Sequence, residues 1–309
     1  MTIKEKLQII KNLSALTQEK LSKKLGVSFA TLNSWINGKS QPRSKAEENI
    51  NALYFKLTGQ KEIPEDPLEA KRQIIFDKLK KYKDVLRKIV KNPDIYDQFL
   101  LSITYHTNKI EGSTLTEDET RAILFDNIAL PNKDIIEQLE VKNHQAAWQY
   151  LLNYLSKGSS KINEALILRL HGILMNGIKS DAGFYRRHSV RIVGTNVPTA
   201  NYLKVPVLMR QIVKDINRQK KDLVAHIAKI HSDFEKIHPF SDGNGRIGRL
   251  IMHAMLLRRN FPPAIIRQGK RRFYNANLRK SQLKDDFLSL ESFLYDAVME
   301  GFKILERKL

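Results

Sequence analysis

The chain has 309 residues, of which 42% are hydrophobic and 28% are charged, a composition typical of a folded protein rather than a disordered one. It contains no cysteine, which excludes disulfide scaffolds, zinc ribbons and cysteine nucleophiles. Lys and Arg outnumber Asp and Glu by 53 to 33, and the resulting net charge of +20 favours polyanionic partners such as nucleic acid or nucleotide phosphates. The alternative is a lysine-rich proteome whose proteins are all basic.

Targeting and membrane signals are the next feature. No run approaches the roughly 18 consecutive apolar residues that a membrane helix needs. Residues 1–6 lack the charged-then-apolar order of a signal peptide. We therefore expect a cytoplasmic protein with no membrane partner.

Apolar residues recur at helical spacing through most of the chain, for example at Leu166, Leu170 and Leu174. Residues 189–194 alternate like a strand and predict a small β-hairpin flap. Prolines, a glycine and charged residues cluster at 59–68 and predict a linker. We thus predict an all-α protein with a small domain at 1–58, a linker at 59–68 and a larger helical domain at 69–309.

The small domain shows two short helices joined by a tight turn. Thr17 can cap the first helix, which Gly26 ends, and Ser28 can cap the second, which stops at Asn37. This layout is the helix-turn-helix plan, and the stretch resembles the helix-turn-helix of the Cro/phage-repressor family. That resemblance implies DNA binding, with base edges facing Ser28, Phe29, Ala30, Thr31, Asn33 and Ser34.

The charge of the small domain is consistent with phosphate contacts, since residues 1–61 hold 11 Lys/Arg against 4 Asp/Glu. The alternative is a helical bundle used for protein contacts, because the same fold serves both purposes. No residue here specifies a sequence of bases.

The most informative segment is 238–249, which reads His-Pro-Phe-Ser-Asp-Gly-Asn-Gly-Arg-Ile-Gly-Arg. Apolar helical runs flank it on both sides, so we predict a loop that enters the N-terminus of a buried helix. Gly243 and Gly245 would let backbone N–H groups curl around an anion, which the helix dipole also favours.

The polar residues of the segment fit phosphate chemistry. His238 can accept a proton near neutral pH, and Asp242 is an oxygen ligand suited to Mg²⁺. Arg246 and Arg249 are about one helical turn apart and can both point at phosphates. A capped helix with surface arginines and a structural histidine is the alternative, which the combined spacing disfavours.

Two other phosphate motifs fail on their context. Residues 243–248 match the dinucleotide fingerprint G-x-G-x-x-G, but a helix precedes them and residues 250–283 contain no acid. Residues 38–40 resemble the end of a P-loop, but Asn33 stands where that motif requires glycine.

Segment 238–249 resembles the signature of the Fic (filamentation-induced-by-cAMP) family, His-x-Phe-x-Asp/Glu-Gly-Asn-Gly-Arg-x-x-Arg, at every fixed position. The resemblance implies a helical Fic fold that transfers AMP from ATP to a Ser, Thr or Tyr hydroxyl of a target protein or of itself. It further implies roles for individual residues: His238 as general base, Asp242 as Mg²⁺ ligand, the backbone amides of Gly243, Asn244 and Gly245 as phosphate cradle, and Arg246 and Arg249 as phosphate contacts.

The resemblance extends beyond the motif. Gly-Phe-Tyr-Arg at 183–186 and the residues after it resemble the family flap, which aligns the target segment by strand addition. The flap residues are Val190, Arg191, Ile192 and Val193. Tyr274 lies in a segment that resembles the one closing over the adenine, which implies a nucleotide contact, with a core or rim tyrosine as the alternative.

A segment upstream resembles the family's inhibitory motif, Ser/Thr-x-x-x-Glu-Gly/Asn, through Thr107, Glu111 and Gly112. The resemblance implies an inhibitory helix at about 104–116, in which Glu111 pairs with Arg249 and removes a phosphate contact. Alternatively, Glu111 only precedes a helix that Thr116 and Glu119 open as a capping box.

Several alternatives stay open at this point. The same glutamate positions a water that removes AMP in some relatives, and other relatives transfer UMP or phosphocholine, or phosphorylate. A different class of function is a DNA-binding transcription regulator whose Fic-like domain senses nucleotide. The sequence does not specify the target, the DNA site or the oligomeric state, and a homodimer is compatible with it.

Overall fold

The computed structural model describes residues 1–14, 16–60, 62–158 and 161–307. It divides into two compact units, Met1–Tyr82 and Lys83–Leu309. Its regular structure is helical, and the described residues contain no β-strand. The prediction of a helical protein is confirmed.

The first unit contains five α-helices among its described residues. They are α1 (Ile3–Leu13), α2 (Gln18–Leu25), α3 (Phe29–Ile36), α4 (Ser44–Thr58) and α5 (Pro67–Leu79). Thr17 and Ser28 cap α2 and α3 as predicted, and Gly26 ends α2 in the left-handed conformation, at φ 70°. The core of the unit includes Leu21, Leu32 and Ile50, all buried.

Helix α5 belongs to the first unit, which therefore extends past the linker predicted at 59–68. The Gln60 side chain connects the two sides of that segment, because it accepts a hydrogen bond from Tyr54 Oη at 2.5 Å and donates one to the Ala70 carbonyl at 3.1 Å. Lys61 lies outside the described residues.

The second unit begins with α6 (Val85–Lys91) and α7 (Pro93–Glu111), followed by α8 (Glu117–Arg121), a π-helical turn (Ala122–Asp126), α9 (Ile135–Ser156) and α10 (Glu164–Leu174). It continues with α11 (Val205–Ile216), α12 (Leu223–Ile237), α13 (Asn244–Arg258), α14 (Arg271–Lys284) and α15 (Leu288–Leu305). Short 3₁₀ turns, Tyr202–Lys204 and Gln268–Lys270, precede α11 and α14.

Helix α13 lies in the middle of the second unit, packed against α7, α9, α10 and α12. Except for Gly245 and Arg258, all of its residues are buried. Because the helix is buried on every side, the polar side chains near its N-terminus are held inside the unit, where they need partners.

The flap differs from its prediction. Residues 187–200 contain no strand and form an irregular loop, whose two arms are joined where Thr199 Oγ1 donates to the Val190 carbonyl at 2.7 Å. Val193 at its tip is 98% exposed. Two short strands without a third strand are marginal as a β-ribbon, which is consistent with the irregular backbone.

Candidate active site

The loop between α12 and α13 brings the residues of 238–249 together. His238 ends α12 with a φ of 52°, an uncommon value for a residue with a side chain. Gly243 precedes α13 with a φ of 75°, and its amide donates to Asp242 Oδ1 at 2.6 Å. The Asn244 side chain closes the loop by hydrogen bonds of 2.9 Å to both backbone groups of Phe240.

The loop therefore presents the first turn of α13, whose amides have no acceptor within the helix. These amides and the positive end of the helix dipole are suited to binding an anion. The sequence-predicted residues Gly243, Asn244 and Gly245 all lie on this turn.

The His238 ring is oriented by the backbone of α12. Its Nδ1 lies 3.2 Å from the Glu235 carbonyl and donates to it, which leaves Nε2 unprotonated in the neutral ring. Burial lowers the pKa of His238 below its usual value, so the neutral form prevails at pH 7.

Glu235 lies beneath His238, with Oε2 at 4.0 Å from Nδ1. Burial raises the pKa of the Glu235 carboxyl to about 8, although Arg249 acts in the opposite direction. The raised pKa favours the neutral form of this carboxyl at pH 7, and that form places no negative charge beside the histidine.

Two residues of α7, Thr107 and Glu111, hold the Arg249 guanidinium. The residues that resemble the inhibitory motif therefore lie together beside Arg249. Its Nε donates to Thr107 Oγ1 at 2.6 Å, and its Nη2 pairs with Glu111 Oε1. Gly112 ends α7 with a φ of 119°. Burial would raise the pKa of Glu111, but Arg249 and Arg246 outweigh it, so the pKa lies below its usual value and the carboxylate is ionised.

Arg246 also pairs with a carboxylate, that of Glu140 on α9, at 2.6 Å. The Arg246 side chain is only 3% exposed, and its Nη2 lies 3.7 Å from Asp242 Oδ1. Both arginines of the motif thus have an anionic partner inside the protein.

Arg186 connects the flap to the motif. Buried at the base of the flap, its guanidinium donates to the carbonyls of His238 at 2.7 Å, His188 at 2.7 Å and Ala200 at 2.5 Å. Its backbone amide donates to the Pro239 carbonyl at 3.0 Å. The flap predicted at Val190–Val193 is therefore anchored beside His238 although it forms no strand.

Tyr274 lies inside the second unit. Its side chain is 2% exposed, and its hydroxyl lies 2.5 Å from His231 Nε2. The ring stacks on His231 and Phe293 within the core, because the helix face of α14 that carries it packs against α12 and α15. The Tyr274 side chain therefore lies in the core, which favours the core alternative over a nucleotide contact.

The helix-turn-helix residues lie mostly at the surface of the first unit. Ser28, Phe29 and Asn33 are exposed, and Thr31 and Ser34 are half-buried. Asn33 Oδ1 accepts from Gln18 Nε2 at 3.2 Å, so the two helices are also linked through a predicted contact residue.

Two family matches cover these regions. The helix-turn-helix family matches residues 7–46, and the Fic/DOC family matches residues 161–256, which include the complete motif. The chain carries a Fic domain. The Fic domain match begins at 161, so Glu111 and the rest of α7 lie before it.

Relatives of the Fic domain are named for one activity. The chain is 35% identical over 185 residues to a protein adenylyltransferase fic-1 from Caenorhabditis briggsae, and 35% identical over 189 residues to a protein adenylyltransferase Fic from Nematostella vectensis. Each alignment covers 59% of this chain, but only 36% and 43% of the relatives. The chain thus matches about two fifths of the length of these relatives.

Solved structures show the same fold. Fic-1 (residues 134–508) from Caenorhabditis elegans matches with a TM-score of 0.67 and 22% identity, over 97% of this chain and 91% of that one. A Fic domain containing signaling protein from Bacteroides thetaiotaomicron matches with a TM-score of 0.68 and 20% identity, over 77% of this chain and 99% of that one.

Four residues of the Fic domain site, or immediately beside it, were missed from the sequence: Glu140, Lys179, Arg186 and Glu235. Glu140 contacts Arg246 across 106 positions, and no spacing rule connects residues that far apart. Arg186 belongs to the segment 183–186 that resembles the flap, and Glu235 lies one helical turn before His238, but neither position by itself predicts that the side chain is buried.

No helix among the described residues is long and apolar enough to cross a membrane.

Proposed function

We propose that this protein transfers AMP from ATP to a Ser, Thr or Tyr hydroxyl of a target protein or of itself. The observation that carries the proposal is His238, whose Nδ1 is engaged by the Glu235 carbonyl so that Nε2 is the base, next to the anion-binding turn of α13. The names of the relatives support AMP as the transferred group.

The proposed reaction moves one proton and one adenylyl group, the AMP moiety of ATP. The target hydroxyl gives its proton to His238 Nε2 and attacks the α-phosphorus of ATP. The bond between that phosphorus and the oxygen bridging to the β-phosphate breaks, and pyrophosphate leaves. The backbone amides of Gly243, Asn244 and Gly245 stabilise the charge that develops on the phosphates.

Asp242 fits a magnesium ion. Its carboxylate is 44% exposed beside the first turn of α13. The described residues contain no cluster of three or more His, Cys, Asp or Glu that could hold a metal, so Asp242 would be a single protein ligand. Mg²⁺ commonly takes one or two carboxylates plus substrate phosphates, and Asp242 would supply the carboxylate here. The ion would neutralise phosphate charge when bound, with Asp242 as its protein ligand.

We further propose that Glu111 inhibits the transfer. Its carboxylate pairs with the Arg249 guanidinium, and a Cβ placed on Gly245 would overlap Glu111 Oε1. An arginine that is already paired cannot also neutralise the polyphosphate, so ATP would bind in an unproductive position. Removal of AMP from a modified target by the same glutamate stays a prediction.

The labelling experiment uses ATP labelled at the α-phosphate, with Mg²⁺, on wild type, Glu111→Gly and Glu111→Gly/His238→Ala. We expect label on the protein or on a lysate protein only with Glu111→Gly. Equal labelling of wild type would contradict inhibition by Glu111, and full labelling of the double variant would contradict the role of His238. Isolating the labelled target and adding unlabelled wild type then tests AMP removal.

A second candidate function is DNA binding by the first unit. The exposed positions Ser28, Phe29 and Asn33 on a helix-turn-helix support it, as does the excess of Lys and Arg over residues 1–61. Selection from a random duplex pool should enrich one sequence with wild type and none with Asn33→Ala/Phe29→Ala. Sequence-specific binding without any AMP transfer by Glu111→Gly would favour a regulator that senses nucleotide.

A further inference from the structure

Lys179 is a cation at the nucleotide site that the motif does not include. Its Nζ lies 3.5 Å from Asp242 Oδ2, on the opposite oxygen from the one that faces Gly243 and Arg246. The Lys179 and Asp242 side chains are 43% and 44% exposed. An ion pair this exposed contributes little to stability, so the fold does not require it.

The segment that carries Lys179 is held against the motif loop by His171. His171 Nδ1 accepts from the Gly183 amide at 2.9 Å, so its Nε2 carries the proton and donates to the Asp242 carbonyl at 3.2 Å. The His171 ring also stacks on Phe240, with centroids 3.7 Å apart. These contacts keep the turn after α10 beside the loop.

A second pair of contacts holds the same turn. Ser241 Oγ donates to Asp181 Oδ1 at 2.9 Å, and the Lys179 amide donates to the Met175 carbonyl at 3.1 Å. The backbone of Lys179 is therefore fixed on both sides, while its side chain extends to Asp242 from a supported position.

Lys179 is more accessible to a ligand than Arg246 and Arg249 are. Arg246 and Arg249 are buried and pair with Glu140 and Glu111, whereas Lys179 is half-exposed and faces a carboxylate suited to a metal. A polyphosphate approaching the first turn of α13 would meet the Lys179 ammonium at the mouth of the site. Lysine binds phosphate as a point charge and needs no fixed orientation.

We propose that Lys179 is a phosphate-binding residue of the nucleotide site, which pairs with Asp242 and passes to a polyphosphate oxygen when Asp242 binds Mg²⁺. The inference rests on the proposed function for the identity of the ligand as ATP. In this proposal the Lys179 ammonium pairs with Asp242 when no metal is bound and with a phosphate oxygen when Mg²⁺ binds Asp242. Lys179 and the metal therefore compete for Asp242 and share the neutralisation of the phosphates.

The test measures ATP binding by calorimetry, with EDTA and with Mg²⁺, for wild type, Lys179→Met and Lys179→Arg. Lys229→Met is the matched control, because Lys229 also forms a half-exposed pair with an aspartate, Asp233, at 2.9 Å. Lys179→Met should weaken metal-free ATP binding about tenfold, and Lys179→Arg should restore most of it. Mg²⁺ should improve ATP affinity more in Lys179→Met than in wild type, because Asp242 has lost its competing cation.

Two results would overturn the inference: Lys179→Met binding ATP like Lys229→Met in both conditions, or Mg²⁺ improving affinity equally in wild type and Lys179→Met. The measurement needs no transfer, so it separates this inference from the proposed function. The expected binding changes without AMP labelling by Glu111→Gly would support Lys179 and overturn the transfer. Labelling with unchanged binding in Lys179→Met would do the reverse.

Discussion

The carboxylate of Glu111 lies so close to the Cα of Gly245 that a methyl group on residue 245 would overlap Glu111 Oε1. Gly245 has no positive φ, so its backbone would accept a side chain. A side chain at residue 245 would therefore compete with Glu111 for the same space. The glycine-rich turn and the proposed inhibitory glutamate are fitted to each other.

This fit predicts a coupling between the two residues. Gly245→Ala should lower the free energy of unfolding by about 1–3 kcal/mol in wild type, as expected of an overpacked site. In Glu111→Gly the same change should cost clearly less, since only Arg249 remains close. Urea unfolding of the four proteins gives the coupling energy. Equal costs in both backgrounds would contradict the contact.

The acid dependence of the reaction should follow His238. Because burial lowers the pKa of His238 below its usual 6.5, its neutral, proton-accepting form persists to lower pH than that of a free histidine. On the acid side, the rate of AMP transfer by Glu111→Gly should therefore hold down to about pH 6.5 and fall only below that value. Rate measurements across pH 5–8 check the position of this limb, and a half-maximal rate above 6.5 would contradict the lowered pKa.

Glu235 should make stability depend on pH. Its pKa is about 8 in the folded protein and near 4.5 when exposed, so the folded state binds the extra proton between these values. The contribution of Glu235 is present below pH 4.5 and is lost as the pH rises toward 8, by at most about 1.4 kcal/mol per pH unit.

Glu235→Gln checks this dependence, because glutamine keeps the shape and remains neutral. Denaturant unfolding at pH 5, 6, 7 and 8 should show that the variant gains stability relative to wild type as the pH rises. Parallel curves for the two proteins would mean that Glu235 is ionised in the folded state.

Glu140→Gln tests the second arginine pair. The change leaves the buried Arg246 guanidinium without its carboxylate, which should lower the free energy of unfolding by about 3 kcal/mol. Replacing both residues, as Glu140→Gln/Arg246→Met, should recover part of this loss because the buried charge is also gone. Thermal and urea unfolding measure both effects, and a double variant less stable than the single one would contradict the explanation.

Local features of the sequence predicted much of the fold. The caps at Thr17 and Ser28 and the stop at Gly26 lie where the pattern placed them, because capping depends on a few adjacent residues. The motif at 238–249 likewise enters a buried helix as predicted. The hairpin predicted at 189–194 does not form, because alternation of apolar and polar residues over so short a segment does not provide a partner strand.

The sequence by itself determined the helical class, the two caps of the helix-turn-helix and the spacing of His238, Asp242, Arg246 and Arg249, all of which follow from interactions within a turn or two of helix. The pairing of Glu111 with Arg249, across 138 positions, was expected only from the family resemblance. The tertiary structure alone decided that Glu140 meets Arg246, because the two residues are 106 positions apart. It also decided that Tyr274 is internal and that the neutral form of Glu235 is favoured, because burial, which sets solvation and pKa, is a property of the packed chain.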